Sequence, residues 1–177
     1  AVRLVERPGD PEPYRVLMDK DGANLPDQLP GDLWHIRRPS EQAFRDTCNE
    51  FWWLSVYVAK GLCREEFLYA KHAMEALQLP MLLRVMGWRI GLERGFSVSL
   101  GKDYKYLGRY LPKEEMAAFM ALFAPGDYPA MWREEFALCD WFARVAPLAA
   151  RGLGYRYDEA EGARVRAYVE RMKEELR

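Results

Sequence analysis

NEFWWLSVYVAKGLCREE, residues 49–66, is the stretch on which the reading of the whole chain turns. Phe51, Trp52 and Trp53 stand together with Tyr57 one turn further on, so a helix here is apolar around most of its circumference. A helix of that kind is a buried one. Within it, Glu50, Trp53, Tyr57, Lys60 and Arg64 recur at spacings of three and four, which aligns them on one stripe. On a largely buried helix a carboxylate, an ammonium and a guanidinium need partners, because burying an unpaired charge is expensive. Either neighbouring helices supply those partners, or the stripe lines a cleft that holds a polar ligand.

Upstream of this stretch, Ser40 after Pro39 is a suitable N-cap, and Glu41 and Asp46 suit a helix start. The pattern predicts a helix from there to about Lys60, with Gly61 bending or ending it. A second helix is expected over residues 62–77, and Pro80 restarts a third that runs to about Arg94. Residues 95–103 (GFSVSLGKD) read as a loop. Short helices are expected over 104–110 and 113–123. A long one follows Asp127 to about Arg151, stopped by Gly152 and Gly154, and a charged amphipathic helix over 159–176 closes the chain. Helices with short links and no long alternating runs predict an all-α fold, a bundle of five or more helices.

Residues 1–39 differ. They hold Pro8, Pro11, Pro13, Pro26, Pro30 and Pro39, and helical periodicity is absent. Residues 14–18 (YRVLM) are a short strand candidate followed by an Asp-Lys-Asp-Gly turn. The expectation is an irregular arm with one short strand over 1–39, then a helical domain over 40–177. A lone strand has no sheet to join in such a chain, which makes the arm look like the edge of something missing.

The 177 residues amount to about one domain, with 50% apolar residues and a net charge of −1. That balance argues against an electrostatic binder of nucleic acid or membrane surfaces. No apolar run reaches membrane-spanning length and no signal-peptide pattern opens the chain, so the expected location is the cytoplasm. Cys48, Cys63 and Cys139 are widely spaced within helical patterns and read as buried free thiols in a reducing compartment. With His35 and His72 the only histidines, neither a histidine-rich metal site nor a Ser/His/Asp constellation is expected.

Two apparent motifs fail on their chemistry. Residues 95–102 end in Gly-Lys like a phosphate-binding loop, but have one residue too many between the glycines, and Asp103 stands where a magnesium-binding hydroxyl belongs. Asp19 and Asp21 resemble the paired aspartates that hold metals in nucleotidyltransferases, without the Gly-Ser turn that should precede them. No residue of this chain is assigned a catalytic or metal-binding role. The segment GKDYKYLGRY, residues 101–110, is more informative. A helix starting near Gly101 would set Lys102, Lys105 and Arg109 on one side, either as an anion site or as a solvated basic face. Trp88 and Arg89, in the helix before it, are further candidate contributors.

The stretch NEFWWLSVYVAKGLCREE, followed by MGWRIGLERGFSVSLGKDYKYLGRYL, closely resembles the C-terminal half of the bacterial aminoglycoside 6-adenylyltransferases, the streptomycin-modifying nucleotidyltransferases. NEFWW, YVAKGL with its following Arg-Glu, a tryptophan followed by a basic residue, and GK-x-YK occur in the family's order. MDKDG and the segment with Trp34, Pro39 and Ser40 match as well, so the resemblance spans roughly residues 14–157. Cys63 departs from the family's usual tryptophan. The family's N-terminal domain, with its Gly-Ser turn and catalytic aspartates, has no counterpart here.

The resemblance implies transfer of AMP from magnesium-ATP to a drug hydroxyl, with pyrophosphate leaving. It implies that this chain is the helical domain that closes over a missing N-terminal nucleotidyltransferase domain, and that it is inactive alone. Lys102 and Lys105, with Arg89, would meet the ATP triphosphate. Glu50, Trp53 and Tyr57 would face the cationic aminoglycoside. Lys60, Arg64 and Trp88 would line the cleft. The alternative is a non-catalytic helical module of the same descent that binds a ligand or a protein.

Overall fold

The computed structural model describes residues 17–22, 34–123 and 126–175. The chain divides into two compact units, Ala1–Trp34 and His35–Arg177. In the first, Leu17 and Met18 are not strand, and the remainder of the strand expected over 14–18 lies outside the described residues. The second is an all-α bundle, as its periodicities predict.

Helix α1 spans Glu41–Cys63, and its cap is the one the sequence proposes: Ser40 is extended and its hydroxyl accepts from the Ala43 N–H at 3.1 Å. Gly61 neither ends nor bends the helix. It is the crossing point for the next one, since a Cβ there would stand 2.8 Å from Tyr69 Cδ1 and 3.0 Å from Ala70 Cβ. Absence of a side chain, not backbone freedom, is what the position requires.

The two helices expected on either side of Pro80 are one continuous rod. Helix α2 (Phe67–His72) widens into a π-helical segment, Ala73–Gln78, and continues as α3 (Leu79–Glu93). Proline has no N–H and its ring crowds the carbonyl four residues back. Widening the turn ahead of Pro80 relieves both demands without ending the helix, and the Leu79 N–H accordingly reaches back to the Met74 carbonyl. The short helix α4 (Lys113–Met120) follows Pro112. The long α5 (Tyr128–Leu153) is capped by Asp127, whose carboxylate accepts from the Ala130 N–H at 2.6 Å. It stops at Gly154, in the left-handed region at φ 77°. Helix α6 spans Glu159–Glu175.

Helix α5 packs along α3 and α1, and α6 lies across α1 and α5. At the centre Phe51 stacks on Phe142, ring centroids 3.8 Å apart and planes 8° from parallel, with Trp52 edge-on to both. The Trp52 indole N–H donates to the Tyr157 hydroxyl at 3.1 Å. Helix α6 comes so close that a Cβ on Gly162 would meet Trp52 Cζ2 at 2.5 Å. Burying each of these rings contributes about 1.5–3 kcal/mol. The segment entering α1 is tied to the same bundle: Ile36 N–H donates to the Val98 carbonyl at 2.9 Å, Arg38 to the Leu153 carbonyl at 2.8 Å, and Tyr155 to the Pro39 carbonyl at 2.8 Å.

Candidate functional site

Helix α1 has two distinct faces, which its crowded aromatics hide in the sequence. Phe51, Trp52, Ser55, Val58, Ala59 and Leu62 are buried, whereas Trp53 is 58% and Tyr57 37% exposed. Glu50 and Arg64 are exposed and Lys60 is half-buried. The charges therefore need no buried partners: water solvates them, and the expectation of a helix buried nearly all round is corrected. Trp53 and Tyr57 lie side by side with centroids 5.8 Å apart, and the Lys60 ammonium sits 5.8 Å from the Tyr57 centroid. Aromatic area, one carboxylate and two cations are thus presented together on a rigid helix. Such a surface can stack a flat or sugar-like ring and attract charge of either sign at its two ends.

Cys63 lies off this stripe. Its thiol is 3.5 Å from the Met172 carbonyl, against α6.

The GKDYK segment is not the helix its spacing predicts. Two short 3₁₀ turns, Lys102–Tyr104 and Leu107–Arg109, take its place, the first kinked at Asp103, and Gly101, Asp103 and Tyr104 all have positive φ (71°, 52° and 59°). For Asp103 and Tyr104 that conformation is strained. Buried Leu100 and Leu107 anchor the segment, and the Tyr106 N–H closes it on the Leu100 carbonyl at 2.9 Å. A Cβ on Gly101 would meet Tyr106 Cδ2 at 2.7 Å. With no regular helix there is no helix N-terminus to bind an anion, so any anion site here is built from side chains. Lys105 and Arg109 share one ring: the ammonium stands 5.0 Å and the guanidinium carbon 3.8 Å from the Tyr106 centroid. Lys102 is exposed at the head of the turn.

Arg89 and Trp88 do not stand with these lysines as open groups. Both Arg89 terminal nitrogens meet the Glu115 carboxylate, at 2.8 and 3.1 Å, a fork that locks the guanidinium between α3 and α4. Trp88 is 7% exposed and packs on Phe44 at 5.7 Å, so it is a core residue and not a cleft wall. Among the described residues no hydrogen bond, ion pair or ring contact joins the α1 stripe to the lysine turn.

Two clefts open elsewhere on the bundle. One of about 390 Å³ is lined by Phe44, Arg45, Asn49, Arg156 and Glu161 among others. The second, about 180 Å³, lies over Trp52, Asp140, Gly162 and Arg166. Neither is lined by a residue the sequence nominates. Among the described residues no group of three or more His, Cys, Asp or Glu side chains could hold a metal ion. Asp19 and Asp21 lie exposed in the short segment 17–22. No described helix is long and apolar enough to cross a membrane.

Sequence reasoning missed Glu115 and the buried polar group of Ser55, Gln78 and Glu135. For Glu135 a signal exists: with Leu138, Cys139 and Phe142 it falls at helical spacing on the apolar face of α5.

Fold and surface together define an all-α bundle, polar and aromatic on one side of its first helix and core on the other. The chain belongs to the streptomycin adenylyltransferase family, whose model matches residues 3–172. It is 38% identical over 146 residues to the aminoglycoside 6-adenylyltransferase of Bacillus subtilis strain 168, a match covering 82% of this chain and 51% of that protein. The Campylobacter jejuni enzyme of the same name is 38% identical over 161 residues, covering 90% of this chain and 55% of the relative. A crystal structure of a Bacillus subtilis aminoglycoside 6-adenyltransferase superposes with a TM-score of 0.73 at 34% identity, covering 85% of this chain and 57% of that one. The chain spans about half the length of the relatives it matches.

Proposed function

We propose that this chain is the helical, substrate-closing part of a nucleotidyltransferase that moves AMP from ATP to a hydroxyl of an aminoglycoside-like cation. The observation that carries the reading is the outward stripe of α1, with Glu50, Trp53 and Tyr57 on a helix whose opposite face is core. A polycationic sugar fits that surface: the carboxylate of Glu50 attracts ammonium or guanidinium groups, and the rings of Trp53 and Tyr57 cover the apolar faces of the sugar. Lys60 and Arg64 orient Glu50 or meet a phosphate at the far end.

In AMP transfer the acceptor hydroxyl attacks the α-phosphorus, the bond to the bridging oxygen breaks and pyrophosphate leaves. Charge builds on the leaving oxygens, and cations held there stabilise the transition state. Lys102 and Lys105 supply that charge in this reading. Arg89, already forked to Glu115, acts only if that pair opens. Magnesium accompanies ATP in such chemistry. The described residues do not form a set that fits it. In this reading residues 40–177 are the helical domain, residues 1–39 end a nucleotidyltransferase domain, and the catalytic aspartates belong to that domain. The fit of this chain to about half of each relative also favours a second reading, a binding module without chemistry.

Titration with streptomycin, followed by tryptophan fluorescence, tests the shared part of both readings. Trp53→Ala and Glu50→Gln are expected to weaken binding about tenfold or more at unchanged melting temperature. No binding to the wild-type chain, or full binding by both variants, removes the stripe from the site. A transfer assay with magnesium-ATP is expected to read blank for this chain alone. Transfer above blank would bring Asp19 and Asp21 forward as metal ligands.

A further inference from the structure

The centre of the bundle holds polar groups that play no part in binding a ligand at the surface. Ser55 of α1, Gln78 at the end of the π-helical segment and Glu135 of α5 are each 0% exposed. Gln78 commits both amide hydrogens, one to the Ser55 hydroxyl at 2.8 Å and one to Glu135 Oε1 at 3.1 Å. The Cys139 thiol donates to the same Oε1 at 3.3 Å. Two acceptors then remain buried without a hydrogen bond, Gln78 Oε1 and Glu135 Oε2. Both Gln78 amide hydrogens and the Cys139 thiol are already in use, and buried acceptors are rarely left unmade.

Nor does a cation answer Glu135. Its hydrogen-bond partners are neutral: the Gln78 amide of the π-helical segment, the Cys139 thiol of α5 and the Ser55 hydroxyl of α1. Lys71 of α2 is held by Glu75 at 2.7 Å and lies 3.8 Å from Glu134, the neighbouring carboxylate. On α6, Arg166 is engaged by Asp140 at 2.5 Å and Glu170 at 2.9 Å, and acts on Glu135 only at a distance. Burial therefore outweighs the donors and pushes the Glu135 carboxyl up from 4.5 to about 7.

We propose that Glu135 is a buried proton site: Oε2 carries a proton that it donates to Gln78 Oε1, closing an acid–amide pair that clasps the π-helical segment to α5. One hydrogen satisfies both orphaned oxygens, and the second leg of the pair is the Gln78 hydrogen bond already present. The clasp sits where the rod is least regular, since Gln78 is the last residue of the widened turn ahead of Pro80. Loss of the proton leaves a charge in the core with neutral donors alone, so the clasp weakens as the solution becomes alkaline.

The sign of the effect follows from linkage. The unfolded carboxyl ionises near 4.5 and the folded one near 7, so between these values the native state holds the extra proton. The stabilisation is complete below the lower value, declines as pH rises, and is gone above the upper one. Thermal unfolding of wild type and Glu135→Gln between about pH 5 and pH 8 tests this, because glutamine offers an N–H to Gln78 Oε1 with no proton to lose. Wild type is expected to lose about 5–10 °C relative to the variant across that range. Infrared spectroscopy of the wild type alone gives an independent reading. At about pH 6 exposed carboxyls are ionised, and a protonated-carboxyl carbonyl band is expected to remain and to vanish by about pH 8. Parallel melting curves for the two proteins, or no such band at about pH 6, would overturn the proposal.

Discussion

Lys102 and Lys105 are three residues apart and have different surroundings. Lys105 rests beside the Tyr106 ring at 5.0 Å, while Lys102 is exposed at the head of a strained turn. Under the proposed function both meet triphosphate oxygens in the complete enzyme, and each forms a charge-assisted contact. Losing one is expected to reduce kcat/KM for ATP about ten- to a hundred-fold. Neither side chain supports the core, so the melting temperature of Lys102→Ala and Lys105→Ala should stay within about 2 °C of wild type. Unchanged kinetics in both variants would leave the segment a solvated basic face. Residue types at this scale are readable in the chain, because a lysine pair and a carboxylate beside two aromatics announce their chemistry. Their surroundings are not. Nothing in the spacing of Arg89 reveals Glu115, which lies in another helix and meets it only when α4 folds against α3.

At the scale of elements, the caps and the stop at Gly154 were legible, and the breaks expected at Gly61 and Pro80 did not occur. Ser40 and Asp127 act through hydrogen bonds to residues three places on, and a local sequence pattern contains everything those bonds need. Gly61 and Pro80 read locally as punctuation, yet both lie inside continuous helix because of partners distant in sequence. Proline is absorbed by a widened turn whose last side chain finds Ser55 and Glu135 in the core, and that gain is visible only in three dimensions. Gly61 is a packing residue, which yields a discriminating variant. Alanine in a helix is favoured over glycine by about 1 kcal/mol. Against this, a Cβ would press on Tyr69 at 2.8 Å and on the Ala70 backbone at 3.1 Å, and overpacking costs about 1–3 kcal/mol. The net cost is at most about 2 kcal/mol, so Gly61→Ala is expected to lower the melting temperature by up to about 8 °C. A rise in melting temperature would mean that α2 stands off from α1 and that the glycine is there for the backbone after all.

For the whole molecule, the helical class followed from periodicity, whereas the expectation that α1 is buried nearly all round did not hold. What the periodicity could not supply was which aromatics face inward, since Phe51, Trp52 and Trp53 are adjacent and equally apolar. Packing against Phe142, Tyr157 and Gly162 decides it, burying the first two and leaving the third in solvent. With the proposed site on the outer face, a separation of tasks across one helix is expected, and paired variants can measure it. Phe142 stacks on Phe51 at 3.8 Å, and truncating a buried phenylalanine costs about 3–5 kcal/mol. That is a large share of the roughly 5–15 kcal/mol by which a domain is stable. Phe142→Ala should therefore lower the melting temperature by about 6 °C or more, while any folded fraction keeps an intact outer stripe and binds ligand with wild-type affinity. Trp53→Ala should do the reverse, since its ring is mostly in water: stability within about 0.5 kcal/mol, affinity sharply reduced. Chemical denaturation and ligand titration of the two variants side by side read both axes. Equal loss of affinity in the two would mean that the faces of α1 are mechanically coupled, and equal loss of stability would place Trp53 in a packed interface.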